Sequence, residues 1–345
     1  MNLPSLTIAY ITCRPNPRWE WFLDSLAAQT KSDEQRARIQ LVFVDGKLWD
    51  RDAYLGKGPV SLNLDVWHDH DRIASLAKLI QGRFPDVLHI PPKPCTYQGP
   101  WRQTTRDMFC AGNTRDTAFI VAKHEFVVFV DDLSVLMPGW LDQVLHAAEH
   151  NYVVCGMYKK VHGLRPDGSY DSIASTDSRW DHGSDSGLVP WHGSGMYGCS
   201  FGLPLEAALE VDGNDPACNG QGGEDTDFGT RLERAGWPVF LNRNMLTLED
   251  EDLHHDGSKL PQNRYPVQQV FLPKGYDSYH HARQDEKYWS DHVLLNRLNN
   301  EHDRILPTIR NDLEKLRAEY QRSGLVPVPP FGMTDWRTGK SLATL

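Results

Sequence analysis

The chain has 345 residues, 40% hydrophobic and 24% charged, enough to bury one full α/β core with an appendage. Its formal net charge of −10 argues against broad, sequence-independent attraction to nucleic acid or anionic membrane, while leaving room for a local basic patch. No apolar run reaches the roughly 18 residues of a spanning helix, and the start MNLPSLTIAYITCRP lacks a basic n-region and a cleavage site, so a soluble, cytoplasmic protein is expected.

Leu6–Ile11 (LTIAYI) is a short apolar run closed by Thr-Cys-Arg-Pro, the pattern of a buried strand entering a loop. Trp19, Phe22, Leu23 and Leu26 recur at helical spacing, and Ile39–Val44 (IQLVFV) predicts a second strand ending at Asp45-Gly46. This β-α-β order predicts a parallel sheet with helices on its faces. Ligands of such sheets gather at the carboxyl ends of the strands, where Thr12, Arg14 and Asp45 stand. PPKPCTYQGPW (91–101) predicts a fixed irregular loop, and residues 106–124 a helix carrying Asn113, Arg115 and Asp116. A strand, FVVFV, follows at 126–130 and runs into Asp131-Asp132; WLDQVLHAAEH then predicts an amphipathic helix, and Tyr152–Tyr158 another strand. The Gly/Ser/Asp/His-rich stretch 162–195 predicts a long loop with Trp180, His182, Trp191 and His192, either an acceptor-facing surface, a mobile lid or a plain excursion. GGEDTDFGTRLERAGW (222–237) opens a helix, and FLNRNMLTLEDEDLHHDG runs strand-like to His254-His255. From about 258 the character changes to charged amphipathic helices, interrupted at Pro307, and a Pro-rich tail. Two parts are expected: 1–257 as the main domain and 258–345 as a C-terminal helical extension. The six cysteines form no CxxC pair, which points to reduced thiols and away from zinc or a disulfide framework. Of the 11 tryptophans, Trp101, Trp180 and Trp191 sit in polar loop contexts and are candidates for stacking on a sugar or a base.

Two neighbouring carboxylates at the mouth of a buried strand lose hydration and repel each other. A divalent cation removes that cost. Glu224, Asp225 and Asp227 put three acids in four residues, more than capping a helix requires, and the Gly pair before them lets backbone approach a ligand. His254 or His255 with carboxylate oxygens suits Mn²⁺ or Mg²⁺.

In order and spacing, VFVDDLSVLMPGWL, CSFGLPLEAALEVDGND and GGEDTDFGTRLERAGW resemble the family 2 glycosyltransferases of the GT-A fold, and AGNTRDTAF resembles the Asn/Arg helix preceding their acidic motif. The resemblance runs from about Leu6 to His255 and implies a Rossmann-like, mostly parallel sheet flanked by helices. It also implies a nucleotide-sugar donor, a UDP-sugar being the default, and a glycan or other hydroxyl acceptor. By this resemblance Thr12, Arg14, Asn113 and Arg115 belong to the donor side, and Asp45 recognises the base. Asp131 and Asp132 match the DXD-type motif for ribose and cation, and His254 or His255 completes the metal site. Asp225 matches the general base and Glu224 its neighbour on the acceptor, with inversion the expected stereochemistry. Trp180, Trp191 and His192 are the acceptor candidates. One departure stands out: the third acid of a full DXD motif falls on Leu133, so either Asp132 becomes the ligand through a local shift of the turn, the favoured reading, or metal binding is weak. A nucleotidyltransferase is disfavoured because TCRPNPRWEW has no glycine where such enzymes wrap a triphosphate. A non-catalytic sugar-binding module and transfer to an extruded, modified DNA base remain alternatives. The helices from 283 to 322 are expected to pack on the parent domain or to form a homodimer.

Overall fold

Continuous apolar runs without polar alternation make strands that are buried on both faces. LTIAYIT and IQLVFVD behave this way, and both are buried along their whole length. The computed structural model describes residues 4–48, 69–93, 95, 98, 109–184, 187–215, 218, 223–254 and 311–324. In chain order the elements are β1 (Leu6–Thr12), α1 (Trp19–Gln29), α2 (Asp33–Ala37), β2 (Ile39–Asp45), α3 (His70–Ile80), β3 (Asp86–Ile90), α4 (Ala111–Val121), β4 (Phe126–Asp131), β5 (Ser134–Leu136) and α5 (Trp140–His150). They continue with β6 (Val153–His162), β7 (Ser172–Thr176), β8 (Leu188–Pro190), β9 (Ser200–Pro204), α6 (Leu205–Glu210), α7 (Glu224–Arg234), β10 (Val239–Asp250), α8 (Glu251–His254) and α9 (Leu313–Ser323). His255, Trp101 and residues 258–310 lie outside the described residues.

The sheet runs β3-β2-β1-β4-β9-β6-β10-β5, with β7 added to β6 and β8 to β10. Pairing is parallel from β3 through β4 and again between β6 and β10, as the β-α-β order predicts. Strand β9 enters antiparallel between β4 and β6, and β5 pairs antiparallel with β10. β5 follows β4 after two residues, yet it closes the far end of the order, so the sheet curls back on itself. The architecture is therefore α/β: a mostly parallel, curled mixed sheet flanked by helices.

Alternate residues of each strand feed opposite cores. Tyr10, Phe43 and Val128 pack with Phe22, Leu26 and Trp140 of α1 and α5. Ala9, Val42 and Phe129 pack with Phe119 of α4, Phe228 of α7, and Leu313 and Leu316 of α9. The apolar face of α9, expected either to pack in cis or to dimerise, is thus used on α4 of the same chain. Arg317 donates to the Phe119, Ile120 and Ala122 carbonyls, groups at the end of α4 that lack helical partners of their own. At the other end of α9, the Asp212 carboxylate accepts the Leu313 and Asp312 amides at 2.8 and 3.2 Å. Among the described residues no helix is long and apolar enough to cross a membrane.

Asp116 connects α4 to the turn that caps α9. Its Oδ1 accepts the Asn214 backbone N–H at 2.8 Å and the Asn214 side-chain N–H at 2.9 Å. Burial pushes its carboxyl up to about 6, against the pull of Lys93 and Asn214. Burial likewise pushes Asp227 up to about 6, against Arg231. A carboxyl whose folded pKa lies above its unfolded value favours the protonated folded state, so this stability is present below the ordinary carboxylate pKa and lost as pH rises through about 6. In thermal melts stepped from about pH 4 to pH 7, Asp116→Asn is expected to remove one downward contribution to Tm across that window, while Asp227 and Glu224 keep theirs and Asp45 acts the other way. A variant whose melts fall as steeply as the wild type would contradict this.

Candidate active site at the carboxyl edge

Parallel pairing brings the ends of three strands together, with Thr12 opposite Asp45 and Ile11 opposite Asp131. The chain then turns sharply at Leu133, whose φ of 62° lies in the left-handed region that costs a branched residue about 1 kcal/mol or more. The Leu133 N–H donates to the Pro17 carbonyl, and its carbonyl accepts the Asp250 N–H at 3.2 Å. Its side chain is 2% exposed, packed inward. The position where a fuller DXD motif carries its third acid therefore faces the interior, and the turn uses its backbone to join the ends of β4 and β10.

The two aspartates before it diverge. Asp131, with 38% of its side chain exposed, lies 3.9 Å from Arg115 Nη2. Asp132, at 10%, is held by Arg14 Nε at 3.0 Å and by the Thr12 hydroxyl at 2.7 Å. Thr12 and Arg14, expected on the donor side, thus hold Asp132.

Arg115 is the centre of the acid cluster. It projects from α4, a helix whose polar residues Asn113 to Thr117 are all buried. Its Nη1 donates to Glu224 Oε1 at 2.9 Å, and the guanidinium lies 5.6 Å from the Phe201 ring centre. Burial works against its charge, but Glu224, Asp131 and Asp225 outweigh that and raise its pKa. Glu224 is itself pushed up, first by burial and then by the charge of Asp225, against the attraction of Arg115. Both acids occupy the first turn of α7, which starts from Gly223 at φ 90°, a conformation that favours glycine. Asp225 is fixed by two backbone donors: the Gly198 N–H at 2.8 Å and the Thr226 N–H at 2.8 Å. Asp131, Arg115, Glu224 and Asp225 are the sequence-predicted residues that the fold brings together.

Others are placed differently. Asp45 is fully buried; it accepts from Arg72 Nε and Nη2 at 2.5 and 3.1 Å, and His89 Nε2 lies 3.0 Å away. Burial opposes its charge, but His89 and Arg72 outweigh that and lower its pKa. Instead of facing a base across an open edge, Asp45 is covered. Arg72 also reaches the Arg14 and Pro15 carbonyls and sits 4.8 Å from the Trp19 ring centre, beside a cavity of about 350 Å³ lined by Asn16, Trp19, Asp69 and Arg72. Asn113 is buried and donates to the Lys93 carbonyl at 2.7 Å, fixing the segment before α4.

The 162–195 stretch is not one long loop. It contains β7 and β8, and Arg179 pins it, donating to Asp177 and to the Gly195 and Gly156 carbonyls. Of the acceptor candidates, Trp180 and Trp191 are half-buried and His192 is exposed. Trp180 lies between Lys159 and Arg243, whose charged groups are 4.2 and 5.0 Å from its ring. Trp191 donates its backbone N–H to Val239 at the amino-terminal start of β10 and stacks on His192 at 4.4 Å. The segment that reaches the acids is Tyr197–Cys199. Gly198 binds Asp225, and the Cys199 carbonyl accepts the Asp131 N–H at 3.1 Å. Sequence reasoning missed Gly198, Arg72 and His89; the one available signal was Asp69, which caps the helix of Arg72 but does not point to Asp45.

Mn²⁺ or Mg²⁺ needs several oxygen or imidazole ligands converging on one point. Among the described residues no group of three or more His, Cys, Asp or Glu side chains does so. Asp132 is committed to Arg14, and His254 offers its backbone carbonyl to the same guanidinium. Among the described residues Asp132 and His254 are thus engaged with Arg14 and are not gathered into a metal site. No protein-family model matches the chain, and no curated protein is similar to it.

A Cβ at residue 198 would lie 1.8 Å from Arg115 Nη2. Gly198→Ala is expected to displace the guanidinium and destabilise the fold by about 1–3 kcal/mol, in the range of overpacking. Urea unfolding measures this, and an unchanged midpoint would show that Arg115 has room to give.

Proposed function

We propose that this protein is a glycosyltransferase of the GT-A type, moving a sugar from a nucleoside-diphosphate donor, most simply a UDP-sugar, to an acceptor hydroxyl of a glycan or another molecule. The observation that supports it most directly is the convergence of Asp131, Glu224 and Asp225 around buried Arg115 at the carboxyl edge of the sheet. Sugar transfer needs a base for the acceptor proton and fixed positive charge where negative charge grows on the leaving diphosphate. Asp225 is suited to act as the base, being a carboxylate aligned by the Gly198 and Thr226 amides at a helix start, with its Oδ2 shared with a single backbone donor. Arg115 is suited to supply the positive charge, because a permanently charged guanidinium away from water needs no reorganisation during reaction. Glu224 keeps Arg115 and the acceptor side of α7 in register. A base on the acceptor side favours direct displacement with inversion at the sugar carbon. The strand order, with β1 between β2 and β4 and an antiparallel strand next to β4, is consistent with the GT-A assignment.

Full-length protein should be melted with a panel of UDP-, GDP- and dTDP-sugars, each with Mn²⁺, with Mg²⁺ and with chelator, since a true donor raises Tm with its concentration over Kd. The stabilising donor is then followed for nucleotide release. Asp225→Asn is expected to retain the donor-induced shift and to lose about 10²–10⁴-fold in turnover, the usual contribution of a general base. If no nucleotide sugar raises Tm under any cation condition, the transferase reading fails.

A further inference from the structure

Arg14 stands just past β1 with 1% of its side chain exposed, and its three nitrogens bind three different groups. Nε donates to Asp132 Oδ1 at 3.0 Å, Nη1 to the Leu253 carbonyl at 3.0 Å, and Nη2 to the His254 carbonyl at 3.1 Å. The other Asp132 oxygen accepts a hydrogen bond from the Thr12 hydroxyl at 2.7 Å, and the Thr12 oxygen accepts the Arg14 backbone N–H at 3.1 Å. The Arg14 carbonyl is itself held by Arg72 at 2.6 Å.

A guanidinium is a planar fork with donors at fixed angles. One edge of this fork meets a carboxylate and the other meets consecutive carbonyls at the end of α8, so Asp132 and the 253–254 turn cannot move independently. The turn is tied a second way, through the Leu253 N–H to Asp250 Oδ1 at 2.7 Å and the Asp250 N–H to the Leu133 carbonyl. If Asp132 turned to a metal ion, it would give up its hydrogen bonds from the buried Arg14 guanidinium and the Thr12 hydroxyl, a costly exchange.

We propose that Arg14 is a positioning residue, the internal counter-ion of Asp132, which latches the Leu253–His254 turn to the ends of β1 and β4. Asp132 therefore acts through Arg14 and not as a cation ligand, and Asp131 is the member of the pair that faces the site. This rests on the hydrogen-bond geometry alone and holds whether or not the protein transfers sugar.

The test is amide hydrogen exchange, read by mass spectrometry on full-length wild type, Asp132→Asn, Arg14→Met, Arg14→Lys and the Asp132→Asn/Arg14→Met double variant. Each single change is expected to speed exchange across 250–254 by about tenfold or more, as loss of hydrogen bonds to a charged group implies. The double variant should add little to the larger single effect, because both remove one latch. Arg14→Lys keeps the charge without the fork and should behave like Arg14→Met. Exchange in β6 should stay as in the wild type, which separates the latch from a general loss of stability. Asp132→Asn, nearly the same shape as the native residue, carries the test if the Arg14 variants do not fold. Manganese titration followed by water-proton relaxation runs in parallel. If Asp132→Asn leaves 250–254 unchanged, or cuts Mn²⁺ uptake more than tenfold, the latch is wrong. If it loosens 250–254 while Mn²⁺ uptake stays as in wild type, at whatever level, the latch stands.

Discussion

A buried guanidinium surrounded by carboxylates is unstable unless every partner is fixed, and Arg115 imposes that demand on much of this molecule. Its ion pair with Glu224 joins α4 to α7 across 109 residues of sequence, and Asp131 joins both helices to the central sheet. Gly198 lacks a side chain because Arg115 occupies the space, and the same residue's amide then aligns Asp225. Glu224 and Arg115 meet where burial removes most of the competing water, so their attraction is little screened, while Asp131 keeps part of its side chain in solvent. Removing the cation would leave like charges facing each other in a poorly hydrated place.

The same pairing recurs with other arginines. Arg72 holds Asp45, with His89 beside it, Arg14 holds Asp132, and Arg179 holds Asp177. Each of these arginines also binds main-chain carbonyls, so each ion pair stitches a loop to a strand end. A net charge of −10 sits beside these buried cations without contradiction. The negative excess is spread over the chain, and the arginines act where acids cluster inside.

The strands were legible because burial on both faces leaves a continuous apolar run, as in LTIAYI and FVVFV, and the acids at their ends were legible because a carboxylate beside such a run is costly. Glu224 and Asp225 were legible because paired glycines mark a helix start. What the sequence concealed was the source of each counter-charge. Arg72 lies 27 residues after Asp45 on a polar helix, and nothing in its neighbours points back to β2. Arg14 was visible as a strand-end cation, but its fork reaches carbonyls 239 and 240 residues away, and carbonyls leave no trace in side-chain pattern. Residues 162–195 looked like an open loop because Gly, Ser and Asp dominate there, while the order comes from the pairing of β7 with β6 and β8 with β10 and from the buried Arg179. Trp180 and Trp191 looked open to solvent; in the fold both are half-buried, Trp180 beside Lys159 and Arg243 and Trp191 against His192.

The docking of α9 on α4 has a consequence for how the chain is made. During synthesis the N-terminal portion emerges first, and domains tend to fold as it appears. Here Phe119 and the carbonyls at the end of α4 wait for Leu313, Leu316 and Arg317, which leave the ribosome almost 200 residues later. Until then the nascent polypeptide shows an apolar flank beside the helix that carries Arg115, so a chain truncated before residue 313 is the form most exposed to aggregation and to capture by chaperones.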